Sequence, residues 1–356
     1  MPYNHAMRHL DILLPFGLAP AELAKDLLAQ LQAPSLALLL GRASAGKNHR
    51  ADAYARSLPH ERWLTERYAL PAASDSSPPL ATALMQSFGL NADEGTWFIL
   101  NPVHLHVARD HLVLTDRRQL QLDESDARAL FDAAHPLFDE YGFTLLYGDA
   151  FHWFMRADDW AALQTATPDA ACGHNIDIWL PQGAQARAWR RLHNEVQMTW
   201  HAHDVTQERE ARQLKAVNAL WLWGGAVAPV APPASRPVSF SLPGARHAFA
   251  LASQQSLDTD SIDQLFAPDT SEGLLILDSL LAPALVEDWG EWLNRYRTLE
   301  EQIFTPVLAA LKAGRIDSLT LIFTDGTDSS EFVVSRNALR KFWIRPSLTR
   351  LTPRSR

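Results

Sequence analysis

The sequence predicts a mixed α/β protein of two domains, and three observations carry the prediction. Short apolar runs bounded by turn residues alternate with longer segments whose apolar positions recur at three and four. At 356 residues the chain exceeds most single cores, which favours two domains or one core with a large insertion. Residues 227–238, VAPVAPPASRPV, carry four prolines, cannot form the interior of a regular element, and read as a linker.

Residues 10–16 read as a buried strand, and 19–32 follow with Leu23, Leu27, Leu28 and Leu31 at helical spacing. Pro34 suits a first helical turn and opens a second helix through residues 36–40. Residues 71–79, PAASDSSPP, have loop chemistry. Residues 96–100, 104–108 and 111–115 read as short strands, with Arg109 and Asp110 in a tight turn between the last two. A helix is predicted over 125–141 from Ala129, Leu130, Ala133 and Leu137. Strands follow at 143–147 and 176–180, then a long helix at 184–203, then a buried strand at 218–223 ending at Gly224 and Gly225. Beyond the linker, apolar strands at 273–281 and 318–324 flank a helical stretch over 286–313 that is kinked near Pro306. No repeat at a solenoid period occurs.

Hydrophobic residues make up 47% and charged residues 21%, the balance of a globular rather than a disordered chain. The net charge of −9 opposes binding to a phosphate backbone, so nucleic acid is not an expected partner. Cys172 is the single cysteine, which excludes an intrachain disulfide and a four-cysteine zinc site. No basic start with an apolar stretch opens the sequence, and no run approaches the ~20 apolar residues of a membrane span. The expectation is a soluble, cytoplasmic protein with no membrane partner. Twelve tryptophans require large packed interfaces or an aromatic-lined cleft.

Several motifs invite chemistry and read more simply as structure. Gly41 to Asn48 imitates a phosphate-binding loop, but Asn48 replaces the hydroxyl residue and Pro34 starts a helix where a strand is required. The stretch reads as a helix C-terminal turn. His104 and His106 share a strand face, yet without a third ligand they read as polar or packing side chains, as do His201 and His203. Cys172 beside His174 reads as a small buried hydrophobe rather than a nucleophile. On the helix at 184–203, Trp189, Leu192, Val196 and Trp200 form the buried stripe. Asn194, Gln197 and His201 flank it as a solvated shoulder or a cleft wall.

Asn194, then His203-Asp-Val-Thr-Gln-Glu-Arg209, then Val217-Asn218-Ala-Leu-Trp-Leu-Trp-Gly-Gly225, resembles the inserted-domain signature of the archaeal-type cofactor-independent phosphoglycerate mutases. Leu114-Thr-Asp116-Arg117-Arg118, with an acidic helix start at Glu124, is similar to a second stretch of that family. Residues 10–40 and 273–324 resemble its opening and closing elements. The resemblance implies an alkaline-phosphatase-like core, a mixed sheet flanked by helices, at 1–95 and 239–356, with an α/β domain inserted at 96–226 and the linker at 227–238.

The chain reads as a degenerate, bacterial relative of that family, whose chemistry passes a phosphoryl group through a serine beside two metal ions. Leu14-Pro15-Phe16-Gly17 stands where the family has a metal-binding aspartate, and residues 281–286 contain neither His nor Asp. Asp325 is the one metal-ligand candidate left. Leu80 aligns with the nucleophile, leaving Ser76 and Ser77 nearby as catalytic candidates. Two divalent ions need several carboxylates and imidazoles, so no cofactor is expected.

The ligand-binding residues implied are Arg117, Arg118, Asn194, His203, Arg209 and Asn218. Arginine suits bidentate recognition of phosphate or carboxylate, and equally suits holding the inserted domain to the core. Thr206 replaces a family Asn, and Thr167-Pro168-Asp169 lacks the family's Asp-Pro-His element. The expectation is a mutase-like protein without mutase activity that binds a small phosphorylated or carboxylate ligand, or a protein partner including a second copy. The alternative is an active mutase. Ser76 or Ser77 would then be the nucleophile, Asp325 with His104 or His106 would hold manganese or magnesium, and Arg117, Arg118 and Arg209 would grip phosphate. A third reading is a structural partner protein whose tryptophans form a contact surface.

Overall fold

A computed structural model of the chain describes residues 7–71, 75–92, 94–228, 238–241, 248–251, 256–258, 262–266 and 272–353. Two compact units emerge, Met1–Ala53 with Ser235–Arg356, and Tyr54–Ala234. The first unit opens with β1 (Met7–Leu14), α1 (Ala24–Gln30), α2 (Pro34–Arg42) and β2 (Ser44–Arg50). The second begins with α3 (Pro59–Arg67), α4 (Ala81–Ser87), β3 (Thr96–Val103), β4 (Leu105–Ala108) and β5 (His111–Leu114). It continues through α5 (Glu124–Glu140), β6 (Thr144–Asp149), β7 (His152–Arg156), α6 (Pro168–Ala171), α7 (Ala186–His201), α8 (Asp204–Ala211) and β8 (Ala219–Val227). The chain returns to the first unit at β9 (Val238–Ser241), α9 (Ala248–Leu251), β10 (Ser256–Asp258), β11 (Glu272–Ile276) and α10 (Leu281–Leu285). It ends with α11 (Trp289–Leu299), α12 (Thr305–Ala313), β12 (Ile316–Thr324) and β13 (Asp328–Ser335).

The first unit is built on a seven-stranded sheet in the order β10-β9-β11-β1-β12-β13-β2. The strands from β10 to β12 pair in parallel, and β13 and β2 add an antiparallel edge. Leu10, Ile12, Leu13 and Leu14 of β1 are fully buried, the mark of a central parallel strand covered on both faces. Leu36, Leu39 and Leu40 of α2 share one core with Trp292, Tyr296, Val307 and Leu311 from the closing helices.

The break expected near Pro306 takes a specific form. Residues Glu300–Phe304 form a π turn between α11 and α12, so the helical path widens just before a proline that has no N–H to donate. Glu300, buried in that turn, accepts the backbone N–H groups of Ser35 at 2.6 Å and Leu36 at 3.1 Å. It thereby caps α2, whose own N-cap residue Ala33 offers no side-chain acceptor.

The second unit has a four-stranded antiparallel sheet, β6-β7-β3-β8, and the small hairpin β4-β5. Arg109 turns that hairpin at φ 61°. All eight residues of β3 are buried, and the stripe of Trp189, Leu192, Val196 and Trp200 on α7 packs with Leu130, Phe131 and Trp153 into a core. Eleven of the twelve tryptophans, all of them described residues, are buried or half-buried, so most are packing groups.

Three readings change. Residues 54–95, expected with the core, belong to the second unit because α4 packs on β3 and β8, and Ser77 is fastened to Thr165 and Gly224. Residues 176–180 are not a strand. Ile176–Ile178 form a tight 3-10 turn, which the Asn175 side chain caps by accepting the Asp177 N–H. The glycine-lysine stretch after α2 is an edge strand, β2, paired antiparallel to β13, rather than a terminal turn. The proline-rich linker lies outside the described residues from 229 to 237. No helix among the described residues is long and apolar enough to cross a membrane.

Candidate functional site

The second unit gathers a cluster of buried and partly buried ionisable side chains around Arg117 and Arg118. The chain leaves β5 into a 3-10 turn, Arg117–Gln119, whose cap residue Asp116 accepts the Arg118 N–H at 3.0 Å. This turn aims Arg118 at α6. Arg118 Nη1 donates to Asp116 Oδ1 at 2.7 Å and to Asp169 Oδ1 at 3.0 Å, and its Nη2 donates to Asp169 Oδ2 at 2.7 Å. The second pair is bidentate, the geometry that suits a planar guanidinium to a carboxylate. Burial alone would push the Asp169 carboxyl up. The Arg118 guanidinium, with Arg117 and His60 behind it, instead holds it well below the usual carboxylate range.

A second carboxyl lies alongside in a different charge state. Glu61, buried in the first turn of α3, accepts the Leu58 N–H and the Thr167 hydroxyl through Oε2, both at 2.7 Å. Burial, followed by the negative charge of Asp169, pushes its carboxyl up to about 8, so it is protonated at neutral pH. Two carboxyl groups thus share one region, one ionised and one neutral. Burial and the charges of Asp116 and Asp169 also push the Cys172 thiol up, which removes it as a nucleophile.

Arg117 faces the other way. Its Nη1 lies 3.4 Å from His152 Nε2, and His152 Nδ1 lies 2.8 Å from Asp149 Oδ1. That carboxylate oxygen also accepts the backbone N–H groups of Phe151 and His152. With the Nδ1 proton directed at Asp149, Nε2 presents its lone pair to Arg117. The Phe88 ring packs against the imidazole at 5.9 Å. Arg117 Nε is buried without a hydrogen-bond partner, and among the described residues no carboxylate pairs with this guanidinium. Burial lowers the Arg117 pKa, whereas for Arg118 burial is outweighed by the Asp169 and Asp116 carboxylates, which raise it.

The other implied ligand residues stand elsewhere. Arg209 is fully buried and engaged through all three nitrogens: it donates to Asp126 Oδ2 at 2.9 Å and to the carbonyls of Leu120, Gln121 and Lys215. Asn218 clamps Leu105 by accepting its N–H and donating to its carbonyl, each at 2.8 Å. His203 is the N-cap of α8 and accepts the Val205 N–H. Asn194 and His201 are exposed on α7, a solvated shoulder. Ser76 Oγ accepts the Thr165 N–H, and buried Ser77 Oγ is engaged by Thr165 Oγ1 and the Gly224 N–H.

Asp325 accepts the N–H groups of Thr327 at 2.7 Å and Asp328 at 2.6 Å and so shapes the turn between β12 and β13. After β1, Leu14, Pro15 and Phe16 supply no side-chain donor atom. His104 and His106 stack at 6.0 Å, with His104 Nδ1 on the Ala216 carbonyl and His106 Nδ1 near Thr115 Oγ1.

Sequence reasoning reached Arg117 and Arg118 and missed Glu61, Asp149, His152 and Asp169. The nearest sequence signals were the Asp149–His152 spacing and the threonine-proline start of α6, both of them local capping patterns.

No family model matches the sequence, and no curated protein matches it. Among solved structures, the chain is similar to a cofactor-independent phosphoglycerate mutase from Thermoplasma acidophilum DSM 1728. The TM-score is 0.50 at 13% identity, over 98% of this chain and 95% of that one. It is also similar to the PH0037 protein from Pyrococcus horikoshii, with a TM-score of 0.54 at 10% identity, over 93% and 88% of the two chains. At such identities the likeness is one of fold. The chain therefore has a mixed α/β fold like that of a phosphoglycerate mutase.

Proposed function

We propose that this protein is a phosphoglycerate-mutase-like chain that does not transfer phosphoryl groups and instead binds a small phosphorylated or carboxylate ligand at Arg117. The observation that carries the reading is the half-buried guanidinium of Arg117, which has an unpartnered Nε and no carboxylate of its own. A buried N–H donor without a hydrogen-bond partner is costly, and an anion that supplies two oxygens offsets the cost. His152, oriented by Asp149, lies 3.4 Å from one end of the guanidinium, while Asp169 and Asp116 occupy Arg118. Arg118 then orients the turn, and Arg117 is the group left to bind. The absence of transfer rests on the donor set after β1 and at Asp325, which does not fit the metal pair of the mutases.

Thermal shift with 3-phosphoglycerate and inorganic phosphate tests the binding, because a ligand held by the native state alone raises the melting temperature. The expected result is a rise that Arg117→Met abolishes. No rise at millimolar ligand, or an equal rise in the variant, removes the Arg117 site. An assay interconverting 3- and 2-phosphoglycerate with added manganese tests the second half. Turnover with stoichiometric metal would establish an active mutase and overturn it.

A further inference from the structure

We propose that residues 340–345, Arg-Lys-Phe-Trp-Ile-Arg, dock this protein on an anionic phospholipid surface. The surface lies in the first unit and is independent of the Arg117 site. Phe342 is 82% exposed and Trp343 is 68% exposed, and the two rings meet edge to face at 5.2 Å. Trp343 is the exception among the twelve tryptophans, so its exposure is not the habit of this chain. Water-exposed neighbouring rings of this size are unfavourable unless something covers them.

The backbone that carries the rings is fastened. Arg42 Nη1 donates to the Leu339 carbonyl, the Ser347 N–H to the Ala37 carbonyl at 2.9 Å, and Arg350 Nη1 to the Ala43 carbonyl at 2.8 Å. Between these anchors, the N–H groups of Lys341, Phe342 and Ile344 close successive tight turns onto Ala338, Arg340 and Lys341. Presentation of the aromatic pair therefore belongs to the fold and not to a loose tail.

Charge identifies the partner. Residues 332–356 hold seven Arg and Lys and no Asp or Glu, in a chain whose net charge is −9. Among the described residues, Arg340, Lys341 and Arg345 are exposed and form no ion pair. Exposed basic side chains flanking two exposed aromatic side chains in sequence are the composition that holds a protein at a lipid interface, with the rings at headgroup depth and the cations on phosphates. Acidic side chains elsewhere on the molecule are screened beyond ~8 Å at physiological salt. A single-stranded nucleic acid would need a groove with flat stacking faces, whereas this pair projects and packs edge to face. The absence of a spanning helix bears only on crossing the bilayer, and peripheral attachment requires none.

Co-sedimentation of the full chain with phosphatidylcholine vesicles, with and without about 30% phosphatidylserine, tests the proposal at about 0.1 M salt. Binding to the anionic vesicles alone, released by high salt, is expected. Phe342→Ser with Trp343→Ser, and separately Arg340→Glu with Lys341→Glu, should each lower the partition by about tenfold or more. Both pairs are exposed, so an unchanged melting temperature confirms that the variants are folded. Absence of vesicle binding overturns the proposal, as does binding that neither variant changes. Binding to an oligo-dT strand without binding to vesicles assigns the surface to nucleic acid and also overturns it. So does concentration-dependent self-association that the aromatic variant removes while vesicles stay unbound.

Discussion

Arg118 and Asp169 meet through two parallel hydrogen bonds, Nη1 to Oδ1 at 3.0 Å and Nη2 to Oδ2 at 2.7 Å. The pair ties the turn after β5 to α6 across 51 residues of sequence, and the Asp169 charge adds to the burial that pushes the Glu61 carboxyl up. Asp169 is buried, whereas the Arg118 side chain keeps 29% of its exposure. Asp169→Asn should therefore cost about 2 to 3 kcal/mol, less than a wholly buried pair would lose. Chemical denaturation of the variant checks this. A loss below ~0.5 kcal/mol would place the pair among surface bridges.

Glu61 makes the fold sensitive to pH in a direction that can be worked out. Its folded carboxyl titrates at about 8, above the ordinary value of 4.5, so the native state holds the proton more tightly than the unfolded chain. Its contribution is fully present below about 4.5 and is lost as pH rises through about 8. Between those limits, the stability of the wild type relative to Glu61→Gln should fall by about 1.4 kcal/mol per pH unit. Above that range the difference should level off. A flat difference from pH 5 to 8 would mean that Glu61 is ionised in the folded protein. Asp169→Asn removes the neighbouring negative charge, so the same transition should move to lower pH in that background.

The regular elements were legible where one periodicity governs. Strand β1, helices α2, α5 and α7, and strands β3, β8 and β12 follow from apolar runs or spacing at three and four. Legibility failed where polar residues form strands. Ser44–Arg50 is almost wholly exposed on an edge, so no apolar alternation marks it, and β13 begins Asp-Ser-Ser-Glu. Residues 176–180 carry the aliphatic and aromatic content of a strand, yet Asn175 caps them into a turn, a local side-chain bond that outweighs pattern. The site followed the same division. Arg117 and Arg118 stood in a recognisable stretch, whereas Glu61, Asp149, His152 and Asp169 come together only through the packing of α3, α6 and the start of β7.

Arg209 illustrates how one residue type serves two purposes. Its position matched a ligand-binding pattern, but the side chain is fully buried and satisfied by Asp126 and three carbonyls. Arg209→Ala should lower stability by about 3 kcal/mol, the lower end for a broken buried pair, because Arg212 still reaches Asp126. The fraction that remains folded should bind anions with unchanged affinity. Weakened binding in that folded fraction, with stability preserved, would return Arg209 to the ligand site.

Arg117 should behave in the opposite way, because its Nε is desolvated with nothing to accept its proton. Removing an unsatisfied buried polar group while keeping the volume of its stem relieves a desolvation cost of about 1 to 3 kcal/mol. Lost in exchange are the 3.4 Å approach to His152 Nε2, which is long for a hydrogen bond, and the attraction to Asp169, which keeps its bidentate partner Arg118. Arg117→Met is therefore expected to leave the melting temperature unchanged or to raise it by a few degrees, while the shift produced by phosphate disappears. A variant that melts well below the wild type would show that Arg117 is held by the fold as Arg118 is, and that its guanidinium is a structural group rather than a vacant anion receptor. A group kept at a cost to stability and needed only when a ligand arrives is the energetic signature that separates binding from packing.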